Sequence, residues 1–277
     1  MTLTDEKLRE IQDRNKAKLP PLPSRIEPEI RAGATRCSLC NEPVELPPGP
    51  RPPVGKVAHK ACIARKHQEA VEAAQKAAKA QREAEVEAVR FDAPGTLARC
   101  GVPAKWLRAD LGACQDVPDD IMGQIWNWAA NPAGTLYLYG GVGAGKTWVG
   151  VGCLARVLVT GLYLPADCMF VSERMFLARV KDGFDGKDRA NPAATVGLLL
   201  LDDLGASRLT DWGRNEIAGL VEARHAADLP TIITSNIDPD GLAKAVDGRV
   251  LSRIAESRMM IHFPDKDLRI HGTNRSR

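Results

Sequence analysis

Two segments of the chain are apolar at consecutive positions rather than alternate ones, Thr135-Leu-Tyr-Leu-Tyr139 and Gly197-Leu-Leu-Leu-Leu-Asp202-Asp203, and Thr231-Ile-Ile-Thr-Ser235 reads as a third buried strand. Runs of this kind suit strands buried on both faces, as in a parallel sheet covered by helices. A further strand is expected near Cys168–Val171, and helices after Thr147, before His225 and across Gly248–Ile254. Residues 63–90 contain no Gly or Pro and are dense in Ala, Glu, Lys, Gln and Arg, which predicts one long helix. Val71, Val86 and Val89 are too sparse on it for a continuous apolar stripe, so it reads as a solvated connector.

Composition divides the chain at about the same place. Ten of the 19 prolines lie between Pro20 and Pro53. Residues 1–90 carry 17 basic and 13 acidic side chains, leaving 21 and 22 for the remainder, so the net charge of +3 belongs to the N-terminal third. The total is too small to indicate a nucleic-acid binder, and 5% aromatic residues leave few stacking platforms. The first ten residues are charged where a signal peptide needs an apolar core, which makes the cytoplasm the expected compartment. The least polar stretch, 148–171, is broken by Arg156, Pro165 and Asp167, so no membrane span is expected.

Seven cysteines in a reducing compartment are thiols or metal ligands before they are disulfides. Cys37-Ser-Leu-Cys40 and His59-Lys-Ala-Cys62 give C-x2-C-x18-H-x2-C, two close pairs of soft ligands suited to tetrahedral zinc. The ion would close a proline-rich loop too poor in apolar residues to fold alone. Cys100, Cys114, Cys153 and Cys168 are scattered through apolar or helical surroundings and read as buried thiols.

The strand at 135–139 runs into Gly140-Gly-Val-Gly-Ala-Gly145-Lys146-Thr147, a G-x4-G-K-T phosphate loop in its strand–loop–helix setting. Backbone N–H groups of Gly141, Val142, Gly143, Ala144 and Gly145 can turn toward a phosphate at a helix N-terminus. Lys146 is expected to neutralise β/γ-phosphate charge, with the Thr147 hydroxyl on Mg2+. Asp202 at the end of the second apolar run would hold Mg2+ as well, and Asp203 would orient or deprotonate the attacking water. Asn236, after the third of these strands, would position that water. Arg249 and Arg253 lie four apart on a helix, a spacing that could present one of them to transition-state charge.

Together, Gly140–Thr147, Leu198–Gly205, Thr231–Asn236 and Arg249–Ile254 resemble the Walker A, Walker B, sensor I and arginine-finger elements of DnaC/DnaI-type helicase loaders, a family of AAA+ ATPases. The resemblance extends over about residues 98–270 and includes Asp202-Asp-Leu-Gly205, the phrase Thr234-Ser-Asn236 and Asp267-Leu-Arg269. It implies an α/β fold: an AAA+ P-loop αβα core with a five-stranded parallel sheet, following a small zinc-binding module and the helical connector. The expected divisions are 1–62, 63–91 and 92–277. It further implies ATP held between self-associated ATPase domains, with Arg253 reaching the neighbouring site. The implied partners are a DnaB-type replicative helicase, bound through the N-terminal module, and single-stranded DNA, in a bacterial cell or a phage replication system.

Where AAA+ enzymes usually carry Glu, this chain has the shorter Asp203, which predicts slow hydrolysis. Arg174, Arg179, Lys181, Phe184, Lys187 and Arg189 are candidate DNA contacts, diluted by Asp182, Asp185 and Asp188. IstB-type transposition helpers share the core motifs and form one alternative. An adaptor with vestigial hydrolysis is another.

Overall fold

Strands that are apolar throughout must be covered on both faces, and the fold meets this with two helical layers. The computed structural model describes residues 36–37, 39–43, 59–114, 117–182, 191–257 and 259–264, and it falls into two units, Met1–Ala84 and Glu85–Arg277. In the second unit β1 (Thr135–Gly140), β2 (Cys168–Ser172), β3 (Leu198–Leu204), β4 (Thr231–Ser235) and β5 (Met259–Phe263) form one parallel sheet in the order β2-β3-β4-β1-β5. The parallel five-stranded sheet expected from the motifs is therefore present.

Alternation along each strand divides the core in two. Leu136 and Leu138, Leu198 and Leu200, and Ile232 point to one layer, while Tyr137, Leu199, Leu201 and Ile233 point to the other. The first layer contains α2 (Ala93–Arg99), α3 (Asp119–Ala130) and α4 (Lys146–Val159), with Leu97, Ile125, Val149 and Leu154 among its buried residues. The second contains α5 (Glu173–Asp182), α6 (Pro192–Thr195), α7 (Asp211–Ala226), α8 (Pro239–Ala245) and α9 (Gly248–Glu256). Phe176, Ile217, Leu242 and Val250 fill that side. Helix α4 lies close on the sheet because position 150 has no side chain: a Cβ there would sit 3.2 Å from Leu200 Cδ1 and 3.4 Å from Thr234 Cγ2. The starts of α7, α8 and α9 are capped by Thr210, Asp238 and Asp247, each accepting from a backbone N–H of the first turn.

Helix α1 runs from Lys60 to Phe91, three residues earlier and one later than the sequence suggests, and the division between the units falls within it. Its last turns differ from a solvated connector. Val89 is buried in the first layer, Val86 packs at Gly161 and the Arg90 Nε donates to the Val159 carbonyl at 3.2 Å. A continuous stripe is unnecessary when only two turns pack. In the first unit the described part is the Cys/His segment and α1 up to Ala84. No helix among the described residues is long and apolar enough to cross a membrane.

Arg224 on α7 is buried without a carboxylate partner. Its guanidinium donates to Thr231 Oγ1 at 2.8 Å, to the Ala193 and Val196 carbonyls at 2.8 Å and to the Pro230 carbonyl at 2.7 Å. Burial lowers its pKa to about 10, still fully protonated near neutrality. It ties α6 and the segments leading into β3 and β4 to one helix. Arg224→Met should lower unfolding free energy by about 2–4 kcal/mol in denaturant titration, because two buried carbonyls and a part-buried one lose their donors.

Candidate nucleotide site and metal centre

The first turn of α4 begins at the phosphate loop, and its geometry depends on glycines. Gly143 (φ +80°) and Gly145 (φ +93°), the residue capping α4, occupy left-handed conformations that an L side chain would strain. Lys146 is buried, and its ammonium donates to the carbonyls of Gly140 at 2.9 Å and Gly141 at 2.6 Å. The lysine is thereby folded back over the loop whose amides line the helix N-terminus.

Strand β4 lies between β1 and β3, so it separates the loop from the acidic edge and supplies the link. Oδ1 of Asp202 accepts from Thr147 Oγ1 at 2.8 Å and from Thr234 Oγ1 at 2.6 Å. Thr234 Oγ1 in turn accepts the backbone N–H of Asp203 at 3.0 Å. Asp202 is 5% exposed. Burial pushes its pKa up, the Thr234 hydroxyl opposes this, the adjacent Asp203 adds to it, and Thr147 and the more distant Lys105 oppose it. Asp203 is exposed and has φ +56°, at a register shift between Leu201 and Leu204 that turns its side chain out of the sheet. The pairing of a hydroxyl with a carboxylate is the hard-oxygen set that suits Mg2+.

Asn236 is exposed just beyond β4. Arg253 is also exposed, and its partner is Glu256 at 2.8 Å, which also binds His225 Nε2 at 3.0 Å. The structure thus brings together Lys146, Thr147, Asp202 and Asp203, whereas Arg253 pairs within its own helix. Arg174, Arg179 and Lys181 lie on α5, while Phe184, Lys187, Arg189 and Asp267–Arg269 lie outside the described residues.

Sequence reasoning overlooked several contributors. Thr234 has no site role in the sequence reading beyond its place in the Thr234-Ser-Asn236 phrase, although a hydroxyl one residue before the end of a buried strand is itself a signal. The segment 104–113 packs on α4 through Trp148, whose Nε1 donates to the Asp110 carbonyl at 3.2 Å and whose ring meets Trp106 edge-on at 6.4 Å. Glu173 is buried and accepts from Gly205 N at 2.6 Å and from the Ser207 hydroxyl. Nothing in its sequence setting marks it.

Near the N-terminus, Cys37, Cys40, His59 and Cys62 place one donor atom each within 4.8 Å of one another. Cys37 and Cys40 flank a tight turn in which Asn41 N bonds the Cys37 carbonyl at 2.9 Å and Cys37 N bonds the Glu42 carbonyl at 2.7 Å. His59 Nδ1 lies 3.4 Å from Cys40 Sγ and 3.9 Å from Cys62 Sγ, and Nε2 lies 3.0 Å from the Pro43 carbonyl. That carbonyl fixes the proton on Nε2, leaving the Nδ1 lone pair for the ion. Burial pushes the Cys37 thiol up, but hydrogen bonds from the backbones of His59, Leu39 and Cys40 outweigh it and bring it down to about 6. Hydrogen bonding to Cys40, then burial, pushes Cys62 up to about 11. One thiolate forms readily and the last resists, as expected of a cluster whose negative charge needs a cation. The donor set fits zinc.

No family model matches the chain. Over 111 residues it is 35% identical to the replicative helicase loader DnaI of Bacillus subtilis (strain 168). The match is 39% of this chain and 34% of that protein, so it spans about a third of the curated relative's length. The crystal structure of the DnaC helicase loader matches with a TM-score of 0.51 at 25% identity, covering 58% of this chain and 98% of that one. The core is DnaC/DnaI-like. In this loader-like core the phosphate loop, the Asp202 edge and β4 are the parts described above.

Two outcomes are expected. Full-length protein should carry about one zinc by elemental analysis, and His59→Ala should lose it, with a lower melting temperature for the N-terminal unit. Asp202→Asn should keep both hydroxyl bonds through its amide oxygen and remove a buried charge. The folded-state pKa of Asp202 is raised, so wild-type stability falls as pH rises past the ordinary value of 3.8, with the loss complete above the raised value. The stability advantage of Asp202→Asn over wild type should therefore be larger at pH 8 than at pH 4, read by thermal melts.

Proposed function

We propose that the chain is an ATP-driven loader of a DnaB-type replicative helicase. The observation that carries this is the hydrogen-bonded set Thr147, Asp202 and Thr234 beside the buried Lys146 of a glycine-rich phosphate loop, in a core similar to a helicase loader. In this proposal the amides of Gly141, Val142, Gly143, Ala144 and Gly145 cradle the phosphates of ATP, and Lys146 exchanges its carbonyl partners for β/γ-phosphate oxygens. Thr147 and Asp202 hold Mg2+, which would neutralise developing charge. Asp203 and Asn236 orient the attacking water, and Arg253 of one subunit stabilises the transition state in the next.

Several features support this assignment. Asp203 and Asn236 are both exposed at the C-terminal edge of the sheet, where ligands of parallel α/β folds bind. Arg253 is exposed and bound to a glutamate it can exchange on self-association. Hydrolysis is slow because Asp203 is one methylene short of the usual glutamate. Residues 1–62 form the helicase-binding module held by zinc, 63–91 the linker and 92–277 the ATPase domain. The basic side chains of α5 contact single-stranded DNA, and the protein works in the cytoplasm.

In steady-state assays with Mg2+ and ATP, Lys146→Ala should lower turnover by about a hundredfold or more, because one preorganised charge contact is lost. Immobilised full-length chain should capture the replicative helicase of the same host, and His59→Ala should release it. Duplex-DNA binding with no helicase capture would instead place the chain with transposition helpers.

A further inference from the structure

Glu173 is the first residue of α5, directly after Ser172, the residue of β2 in register with Asp202. Its carboxylate is 1% exposed and reaches past the end of β2 to the loop that follows the acidic pair. Oε2 accepts the backbone N–H of Gly205 at 2.6 Å, and Oε1 accepts the Ser207 hydroxyl. A buried carboxylate with no cation partner among the described residues is costly to keep, and here two hydrogen bonds and the N-terminal turn of a helix offset that cost.

The backbone being held is unusual. Asp203 has φ +56° and Gly205 has φ +78°, and the β3–β4 register slips between Leu201 and Leu204. Thr234 Oγ1 on β4 takes the N–H of Asp203, the Ser235 hydroxyl donates to the Leu204 carbonyl, the N–H of Ala206 donates to the Asp203 carbonyl, and Glu173, beside β2, takes the N–H of Gly205. Glu173 anchors the turn on its β2 side, whereas the other side-chain bonds come from β4, so its loss leaves the left-handed stretch held from one side.

We infer that Glu173 is a positioning residue for the reaction at Asp203: it locks the left-handed turn that aims the Asp203 carboxylate at the attacking water. The inference rests on the ATPase reading of the site. Glu173 touches neither the phosphate loop nor the reacting atoms, so its effect is on turnover and not on nucleotide affinity.

The test uses full-length protein with Mg2+ and ATP, reading kcat and KM together with the melting temperature. Glu173→Ala should lower kcat about ten- to a hundredfold while KM stays within about twofold, the signature of a misplaced group acting only in the transition state. Glu173→Gln keeps an acceptor for Gly205 N and can donate to Ser207, so it should retain kcat within about threefold. Glu173→Asp keeps the charge but withdraws the acceptor by one methylene and should behave like alanine, which decides the matter if alanine fails to fold. In an Asp203→Asn background, Glu173→Asp should cause no further loss of kcat, because Glu173 acts through Asp203. Wild-type kcat in folded Glu173→Ala and Glu173→Asp, or a full further loss in the Asp203→Asn background, overturns the inference while leaving the ATPase reading intact. A wild-type chain that does not hydrolyse ATP overturns both.

Discussion

Oδ1 of Asp202 receives hydroxyl hydrogen bonds from α4 and from β4, and the arrangement of the acidic edge follows from how that buried charge is compensated. Placing a carboxylate away from water costs several kcal/mol unless donors meet it. The two threonines that supply them come from the helix that follows the phosphate loop and from β4, the strand beside β1, so the loop, β4 and the end of β3 are tied through one carboxylate oxygen. The parallel order β2-β3-β4-β1-β5 makes this possible by placing β4 between the loop strand and the acidic strand. One hydroxyl of that strand, Thr234, is then enough to bridge them.

Burial still raises the Asp202 pKa against the two hydroxyls. In the proposed nucleotide site, a divalent ion held by Thr147 and Asp202 would supply positive charge to this carboxylate. The same logic applies to the Cys37, Cys40, His59 and Cys62 set, whose thiols separate into one that ionises easily and one that resists.

Much of this was legible in the amino-acid order because it depends on local rules. Consecutive apolar residues at 198–201 announce a strand covered on both faces, and the glycine spacing from 140 to 145 announces the loop. The two metal pairs are legible for the same reason: each x2 spacing is a local turn. What could not be read depends on contacts between distant segments. Glu173 meets Gly205 and Ser207 over more than thirty residues, and Arg224 serves three separate segments. The packing of Val86 depends on a glycine at position 161, whose proximity no helical periodicity reports. Asp203 shows both sides of this limit. Its place beside Asp202 at the end of an apolar run is legible in the sequence, but its left-handed backbone arises from a register slip that only the paired strands reveal.

The distribution of sulfur between the two units gives the molecule an internal reporter. Cys100, Cys114, Cys153 and Cys168 are buried and outside any disulfide, and burial pushes Cys100 up to about 11 and the thiols of Cys153 and Cys168 up as well. Such protonated, enclosed sulfurs are poor nucleophiles. Cys40 and Cys62, by contrast, are only partly covered, and Cys37 ionises near neutrality. An alkylating dye added to native protein would therefore colour only the N-terminal cluster, and only when its ion is gone, so the dye signal would track metal occupancy without any engineered label.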